Sequence, residues 1–331
     1  MADKPKLGMY WAASCGGCEV ALVNLHEKIL DVDAAFEFMF CPCLLDTKKK
    51  DIEALPDGAI AITLFNGAIR TDENLEMARL LRAKSRTLIA FGSCSSEGCI
   101  PGLANLHDRE AIFRTVYLDS PSTVNPEGII PRPTTSVPGG ELHIPAFHER
   151  VRTLADVTDV DYFVPGCPPE PHRIWEVVEA VIGGGPLPPK GSVIGAGRTT
   201  VCEECARPKQ DKKIARLYRT HEMVPDNVRC LLEQGLVCMG IATRGGCGGL
   251  CPKVNMPCTG CYGPPEGVHD QGARMVAAIG SVLDINQLKG VPEEEVARRV
   301  EEALDALPDL AGTFYKYSLP GSLMKGKRCD G

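Results

Sequence analysis

Apolar and polar positions alternate between strand-like and helix-like segments through the first half of this chain. Short apolar runs predict β-strands at 6–11, 59–65, 87–92 and 161–166. Apolar residues at helical spacing predict helices at 19–30, 74–84 and 170–182. Because strands that alternate with helices form a parallel sheet covered by helices, the first half is predicted to be an α/β domain.

This pattern stops at 183–191, GGGPLPPKG, where Gly and Pro crowd together. Beyond that segment one clear helix remains, at 292–307, whose Pro and three Glu at its start suit a helix N-terminus. A Pro-rich stretch at 119–146 is predicted to be a surface excursion that cannot hold regular structure for long. We therefore predict two domains, 1–185 and 186–331, the second of them mostly irregular.

Composition and charge narrow the class of protein. With 331 residues, 44% of them hydrophobic, the chain exceeds the roughly 250 residues at which single cores stop growing. A net charge of -7 and a pI near 5.6 argue against nucleic-acid or anionic-membrane partners, whose binding needs clustered Lys and Arg. No apolar run has the length of a signal peptide or of a membrane span, so we predict a cytoplasmic protein.

The sixteen cysteines are the strongest indication of function in the sequence. Reducing cytosol does not sustain a disulfide framework, so metal ligation is the default explanation for so many thiols. Cys15 and Cys18 in SCGGCE, Cys94 in FGSCSSEG and Cys167 in VPGCPPEP each follow a predicted strand. Functional groups of a parallel sheet gather outside the carboxyl ends of its strands. These four thiolates are therefore predicted to hold one 4Fe-4S cluster.

Eight further cysteines lie in the second half. They are Cys202, Cys205, Cys230, Cys238, Cys247, Cys251, Cys258 and Cys261. Eight thiolates suffice for two more four-Cys cluster sites. Zinc is an open alternative, because CxxC pairs in a region rich in Gly and Pro also describe structural zinc sites, which would make the chain a zinc-stabilised binding module. The remaining cysteines, at 41, 43, 99 and 329, are interpreted as free thiols.

Together, SCGGCE, GSC, PGCPP and the Cys-rich second half resemble the small subunit of nickel-iron hydrogenases along nearly the whole chain. The resemblance implies a flavodoxin-like first domain with a proximal cluster and an irregular second domain with a medial and a distal cluster. Three 4Fe-4S clusters are thus implied, with the hydrogen-activating metal site on a large partner subunit. No residue of this chain is predicted to be catalytic.

Matching motif by motif, the resemblance implies three sets of ligands. The proximal set is Cys15, Cys18, Cys94 and Cys167; the distal set is Cys202, Cys205, Cys230 and Cys238; the medial set is Cys247, Cys251, Cys258 and Cys261. Membrane-bound relatives open the distal site with His where this chain has Cys202, and their medial site has Pro where it has Cys251. The medial cluster is therefore expected to be 4Fe-4S rather than 3Fe-4S.

The predicted cluster sites consist of Cys alone, and we recognise no export signal or membrane anchor in the sequence. In these respects the chain resembles the soluble group 3 enzymes found chiefly in methanogens. Within that group the sequence is most similar to the methyl-viologen-reducing, deazaflavin-non-reducing type, which implies a heterodisulfide reductase complex as electron acceptor. Deazaflavin-reducing hydrogenases and sulfhydrogenases share much of the pattern and stay open as alternatives. A stand-alone ferredoxin-like carrier would bind the same clusters without a large subunit.

Overall fold

The computed structural model describes residues 4–210, 213–214, 216–284 and 290–326. Backbone contacts divide them into two compact units: residues up to 195 together with those from 319 onward, and residues 196–318. The division falls later than the 185/186 boundary expected from the Gly- and Pro-rich segment. The reason is a short strand at Ser192–Val193 that still pairs with the sheet of the first unit.

The first unit is built on a six-stranded parallel sheet. Its strands are β1 (Lys6–Trp11), β2 (Glu37–Phe40), β3 (Ile60–Asn66), β5 (Ser85–Phe91), β9 (Tyr162–Val164) and β10 (Ser192–Val193). The order is β10-β9-β5-β3-β1-β2, and each neighbouring pair is parallel. This is the doubly wound order in which the chain reverses its winding between β1 and β3. The predicted α/β, flavodoxin-like fold is therefore confirmed.

Two antiparallel ribbons accompany the sheet: β4 (Ile69–Thr71) with β8 (Phe147–Arg152), and β6 (Thr134–Val137) with β7 (Gly140–His143). The helices of the unit are α1 (Gly17–Val23), α2 (Ile29–Ala35), α3 (Lys49–Glu53), α4 (Asp72–Lys84), α5 (Ser93–Glu97), α6 (Arg109–Arg114) and α7 (Pro171–Ile182). Shorter turns of 3-10 helix span His26–Lys28 and Ile100–Leu106, and a π-helical turn spans Thr115–Asp119.

Helices cover both faces of the sheet, because successive strand residues point to opposite sides. Met9 packs with Leu22 of α1 and Ile174 of α7 in one apolar cluster. Tyr10 packs on the other face, in a cluster that includes Leu81 of α4. The central parts of β1, β3 and β5 are consequently apolar on both faces, as the sequence indicated.

The observed elements differ from the predicted ones in several places. The helix expected at 19–30 is split into α1 and α2, because His26 has a positive φ of 55° that an α-helix does not accept. The two edge strands, β2 and β10, were not predicted. The Pro-rich stretch 119–146, expected to be a loop without lasting regular structure, contains the exposed β6–β7 hairpin.

Asp161, just before β9, joins α4, β5 and the loop before β10. Its carboxylate accepts bonds from Arg82 Nη1 at 2.6 Å and from the backbone N–H of Leu88 at 2.8 Å, and it pairs with Lys190 Nζ at 2.5 Å. Burial favours the protonated acid, but the bonds from Arg82, Lys190 and Leu88 outweigh it and hold the pKa of Asp161 below its ordinary value. The ionised form is thus favoured by folding.

Replacing Asp161 by Asn is expected to lower the free energy of unfolding by about 2–3 kcal/mol, because two cations lose a buried acceptor. Since folding lowers the carboxyl pKa, the contribution is complete above the unfolded value near ~4 and is lost as the pH falls through the folded value. Urea titrations of both proteins between neutral and acid pH measure the difference. Asp46→Asn, which breaks the exposed pair with Lys48, is the matched control and should leave stability unchanged. Equal stabilities at neutral pH would contradict the assignment.

The described residues of the second unit form few regular elements. The helices among them are α8 (Val201–Glu204), α9 (Leu250–Lys253), α10 (Gln271–Val282), α11 (Glu293–Asp305) and α12 (Leu310–Phe314), with 3-10 turns at Leu232–Gln234 and Met239–Ala242. An apolar cluster around Met275 and Ile279 of α10 includes Leu236, Cys238 and Cys258. Within the described ranges, no helix combines the length and apolar character that crossing a membrane requires.

Candidate metal centres

Three loops of the first unit carry the proximal set to one edge of the sheet. The loop after β1 leads into α1 with Cys15 and Cys18, the loop after β5 begins α5 with Cys94, and the loop after β9 holds Cys167. All three strands are parallel, so their carboxyl ends lie on the same side. The loop after β1 lies at the reversal between β1 and β3, where ligands of doubly wound sheets bind.

The four sulfur atoms of the proximal set lie close enough to interact. Burial raises the pKa of the Cys18 thiol above its ordinary value, and the charges of neighbouring Glu19, Cys94, Cys167 and Cys15 raise it further. Cys18 and Cys94 are buried, whereas Cys15 is exposed. Burial and mutual repulsion disfavour the thiolate forms unless positive charge lies between the sulfurs, and the iron of a 4Fe-4S cluster is a charge of that kind.

The backbone around these cysteines is tightly fixed. Gly92 N–H donates to Val164 O at 2.8 Å, and Ser93 N–H donates to Gly166 O at 2.8 Å. These two hydrogen bonds join the loop after β5 to the end of β9 and the loop that follows it. Gly92 has a φ of 85°, and a Cβ added there would lie 2.4 Å from Cys18 Sγ. Only glycine fits beside this sulfur. The Cys167–Pro168 peptide bond is cis.

Cys99 is a fifth thiol at this site, which the sequence analysis interpreted as free. It is fully buried, and its Sγ donates to Cys167 Sγ at 3.6 Å. Hydrogen bonds to Cys167 and Cys94, together with burial, raise the pKa of Cys99 far above its ordinary value. The same bond lowers the pKa of Cys167 to about 7. Cys99 therefore keeps its proton and stabilises the thiolate of Cys167. Its position five residues after Cys94 was the only signal in the sequence.

A polar network lies beside the CxxC motif and was not predicted from the sequence. Asn66, the last residue of β3, is fully buried and its Nδ2 reaches both carboxylate oxygens of Glu19 at 2.8 Å. The same nitrogen lies 2.9 Å from Ser14 Oγ. Asn66 Oδ1 accepts no hydrogen bond from the described residues. A polar residue ending an apolar strand was the available signal, since such strand ends carry function.

The distal set surrounds a cavity in the second unit. Cys202, Cys205, Cys230 and Cys238 all line it. Burial raises the pKa of Cys202 to about 12, and the nearby thiols Cys238, Cys230 and Cys205 contribute to the rise. A Cβ added to Gly240 would lie 3.1 Å from Cys202 Sγ, so the small residue keeps the cavity open. Four thiols around one space are a ligand set that both a 4Fe-4S cluster and a four-coordinate zinc ion accept.

Two cations border this cavity. Arg207, which is 9% exposed, donates to the carbonyl oxygens of Pro252, Asp226 and Arg229 at 2.9–3.0 Å and to Asn255 Oδ1 at 2.8 Å. The side chain of Lys209 also lines the cavity, and its charge acts to lower the pKa of Cys202. Positive charge near the four sulfurs offsets part of the negative charge of a tetrathiolate cluster.

The described contacts place half of the medial set together. Cys258 and Cys261 interact electrostatically, and burial raises the pKa of Cys258 well above its ordinary value. Cys251 lies on α9, and Cys247 lies in the Gly-rich segment before it. Cys258 also contacts the distal set, because its backbone N–H donates to Cys238 Sγ at 3.3 Å. The division of these eight cysteines into two sets stays a prediction. Among the residues with described positions, no three His, Cys, Asp or Glu side chains are spaced to hold a single metal ion.

Replacing Arg207 by Met is expected to lower the free energy of unfolding by about 3 kcal/mol, because one buried and three partly buried oxygen atoms lose their donor. Denaturant titration measures this change. Arg198→Met removes a guanidinium that pairs with Glu266 at the surface, and it should leave the midpoint unchanged. If the two variants unfold at the same denaturant concentration, Arg207 does not hold the unit together.

Comparisons with known proteins identify the family of this chain. The family described as "NADH ubiquinone oxidoreductase, 20 Kd subunit" matches residues 15–181, a range that contains the whole proximal set. The iron-sulfur subunit of the F420-non-reducing hydrogenase of Archaeoglobus profundus is 41% identical over 97% of this chain and 98% of the relative. This chain belongs to the family of F420-non-reducing hydrogenase iron-sulfur subunits. The corresponding hydrogenase subunit of Methanothermobacter marburgensis is 39% identical over 99% of this chain and 98% of the relative's length.

Membership in this family confirms the resemblance to nickel-iron hydrogenase small subunits. The chain is thus a subunit of an oxidoreductase, a hydrogenase whose nickel-iron site lies in the large subunit. Among solved structures, the chain matches "Actinobacterial-type NiFe-hydrogenase from Ralstonia eutropha H16" with a TM-score of 0.52 and 16% identity, covering 93% of this chain and 92% of that one. At this identity the match shows a shared fold.

Proposed function

We propose that this chain carries electrons from hydrogen oxidation in a nickel-iron hydrogenase large subunit, through three 4Fe-4S clusters, to an acceptor protein. The observation that carries the proposal is the meeting of Cys15, Cys18, Cys94 and Cys167 at the carboxyl edge of the sheet. Four thiolates are the ligand set of a 4Fe-4S cluster. The acceptor that we propose, a heterodisulfide reductase complex, follows from the resemblance to the methyl-viologen-reducing subgroup.

The ligand sets proposed are those implied by the sequence: Cys15, Cys18, Cys94 and Cys167 for the proximal cluster, Cys247, Cys251, Cys258 and Cys261 for the medial one, and Cys202, Cys205, Cys230 and Cys238 for the distal one. When bound, each cluster supplies a one-electron redox centre. The cavity lined by all four cysteines of the distal set supports a metal centre there.

The role of this chain's own residues is to hold sulfur ligands and to set their surroundings. N–H groups and cations next to thiolate sulfur stabilise the negative charge, which raises the reduction potential of a bound centre. Cys258 N–H on Cys238 and the Cys99 thiol on Cys167 are such donors. Burial of Cys18 and Cys94 excludes water from the proximal sulfurs.

A large subunit has an apolar surface to dock on near the proximal set. Val20 and Val23 of α1 are 59% and 54% exposed, and Trp11 at the end of β1 is 43% exposed. Leu22, in contrast, is 3% exposed and belongs to the core. Obligate interfaces are large and apolar, which supports this face as the contact with the large subunit.

Changing Val20 to Asp is expected to reduce the yield of large subunit that co-purifies with the tagged chain by at least ~10-fold, because an unpaired carboxylate would be buried in the interface. Val124→Asp, at a side chain that is 95% exposed in the Pro-rich excursion, is the control and should leave the yield unchanged. Equal recovery of the large subunit with both variants would contradict this placement.

Metal and sulfide analysis of the purified complex tests the function directly. The proposal expects about twelve iron atoms per chain, together with electron paramagnetic resonance signals of reduced 4Fe-4S clusters and a larger nickel-containing partner. Colourless protein with stoichiometric zinc would establish the zinc-stabilised module instead. A brown chain that stays monomeric and never binds a large subunit would establish a ferredoxin-like carrier.

A further inference from the structure

Two cysteines outside all three ligand sets lie in contact with each other. Cys41 and Cys43 stand in the sequence FCPCLL, directly after β2, and their Sγ atoms are 3.3 Å apart. A disulfide bond needs sulfurs about 2.05 Å apart, so an approach of about 1.2 Å would bond them. A change of this size is within the reach of side-chain rotation.

The two thiols differ in accessibility. Cys43 is exposed, whereas Cys41 is 2% exposed and packs in the apolar cluster beneath α1 and α2. Thiol–disulfide exchange needs an accessible sulfur that attacks and a second sulfur, within reach, that releases the product. The pair provides both, with the accessible member on the solvent side.

The surroundings of Cys41 suit the second of these roles. Burial and the hydrogen bond with Cys43 raise the pKa of Cys41 to about 12, so it keeps its proton until Cys43 has reacted. The backbone N–H groups of Cys43 and Leu44 point toward Cys41 Sγ and favour its thiolate form. Conversion of Cys43 to a mixed disulfide removes the contribution of this hydrogen bond to the raised pKa, while the larger contribution, from burial, remains; a larger fraction of Cys41 is then the thiolate that attacks.

We propose that Cys41 and Cys43 form a thiol–disulfide exchange site that accepts disulfides of small thiols. Cys43 thiolate attacks one sulfur of the disulfide RSSR, forms a mixed disulfide with it and releases one thiolate RS⁻. Cys41 then attacks the Cys43 sulfur of that mixed disulfide, gives up its proton and releases the second thiol. In sum, two cysteine thiols and RSSR become one Cys41–Cys43 disulfide and two RSH, and the protein gives up two electrons and two protons to the small disulfide.

The site is separate from the proposed relay. Neither cysteine belongs to a ligand set, so the exchange requires no iron and can be tested without measuring hydrogenase activity. Failure of the exchange would leave the relay proposal untouched, and loss of the clusters would not by itself prevent the exchange.

The test uses the complete hydrogenase complex, purified without oxygen and incubated with hydroxyethyl disulfide over a series of times. Acid quenching, alkylation with N-ethylmaleimide and peptide mapping then follow each cysteine. The expected result is that Cys41 and Cys43 lose alkylation together, and their shared peptide loses the mass of two hydrogen atoms. The iron content, measured on the same samples, should stay constant.

Two variants assign the roles. Cys41→Ser should accumulate the mixed disulfide on Cys43, and Cys43→Ser should slow the oxidation of Cys41 by at least ~10-fold. Because Cys43 is exposed, the second variant keeps the test valid even if Cys41→Ser fails to fold. Full alkylation of both cysteines throughout, or a metal ion that protects both from alkylation, would overturn the proposal. So would equal oxidation rates of Cys41 in wild type and Cys43→Ser.

Discussion

Replacing Cys18 by Ser is expected to lower hydrogen-dependent dye reduction at least ~100-fold and to remove about four of twelve iron atoms per chain. The Cys18 thiol is buried, and the charges of Cys15, Cys94 and Cys167 all act on it. A hydroxyl in its place is a weak ligand for iron, and changes outside the ligand sphere already cost 10- to 100-fold. Without that cluster, electrons released in the large subunit have no acceptor within tunnelling distance.

Iron analysis and dye-reduction rates of the complex measure the two effects. Cys43→Ser is the matched control for the iron content, because it removes a thiol that is exposed and belongs to no ligand set. It should keep all of the iron. If Cys18→Ser retains twelve iron atoms and full activity, Cys18 is not a ligand and the relay proposal fails at its first step.

The second large effect is expected at Gly92, where an alanine should displace Cys18 and prevent the proximal cluster from forming. The added Cβ would lie 2.4 Å from Cys18 Sγ, and the φ of 85° with ψ of 162° is a conformation open essentially to glycine alone. The neighbouring backbone cannot yield, because Gly92 N–H is bonded to Val164 O. We expect the free energy of unfolding to fall by more than ~3 kcal/mol, with a loss of about four iron atoms.

Gly139→Ala separates the two causes of this effect. Gly139 has a similar positive φ of 100°, but nothing lies within 4 Å of a Cβ added there. It should therefore show only the backbone cost of about 1–2 kcal/mol and keep its full iron content. Should Gly92→Ala bind as much iron as Gly139→Ala, the close approach to Cys18 would have no bearing on the cluster.

Much of the first unit was predictable, because its strands are apolar runs and its cysteines directly follow them. The order of the strands then determines that the loops after β1, β5 and β9 share one edge. The contact between Cys99 and Cys167 was beyond prediction, since it depends on how the loop after β9 folds back over α5. Likewise, nothing in the apolar periodicity of 19–30 indicates that His26 takes a positive φ.

The second unit was less predictable because few of its contacts arise from periodic patterns. The CxxC pairs indicated metal ligands, yet no rule of spacing placed Cys230 and Cys238 beside Cys202 in one cavity. Arg207 looked like an ordinary charged residue, and only the fold shows that it joins four separate oxygen atoms. The partition between medial and distal ligands has the same difficulty, since Cys258 contacts both sets.

The buried and partly buried thiols of residues 196–318 have a consequence for biosynthesis. Cys202, Cys238 and Cys258 lie inside a segment with few regular elements, where burial disfavours their charged forms. Ligand binding to the folded state alone shifts the folding equilibrium by mass action. A newly made chain that receives no inorganic sulfide and iron should therefore hold this segment open to cellular proteases, so that the supply of those two elements controls how much of the subunit survives.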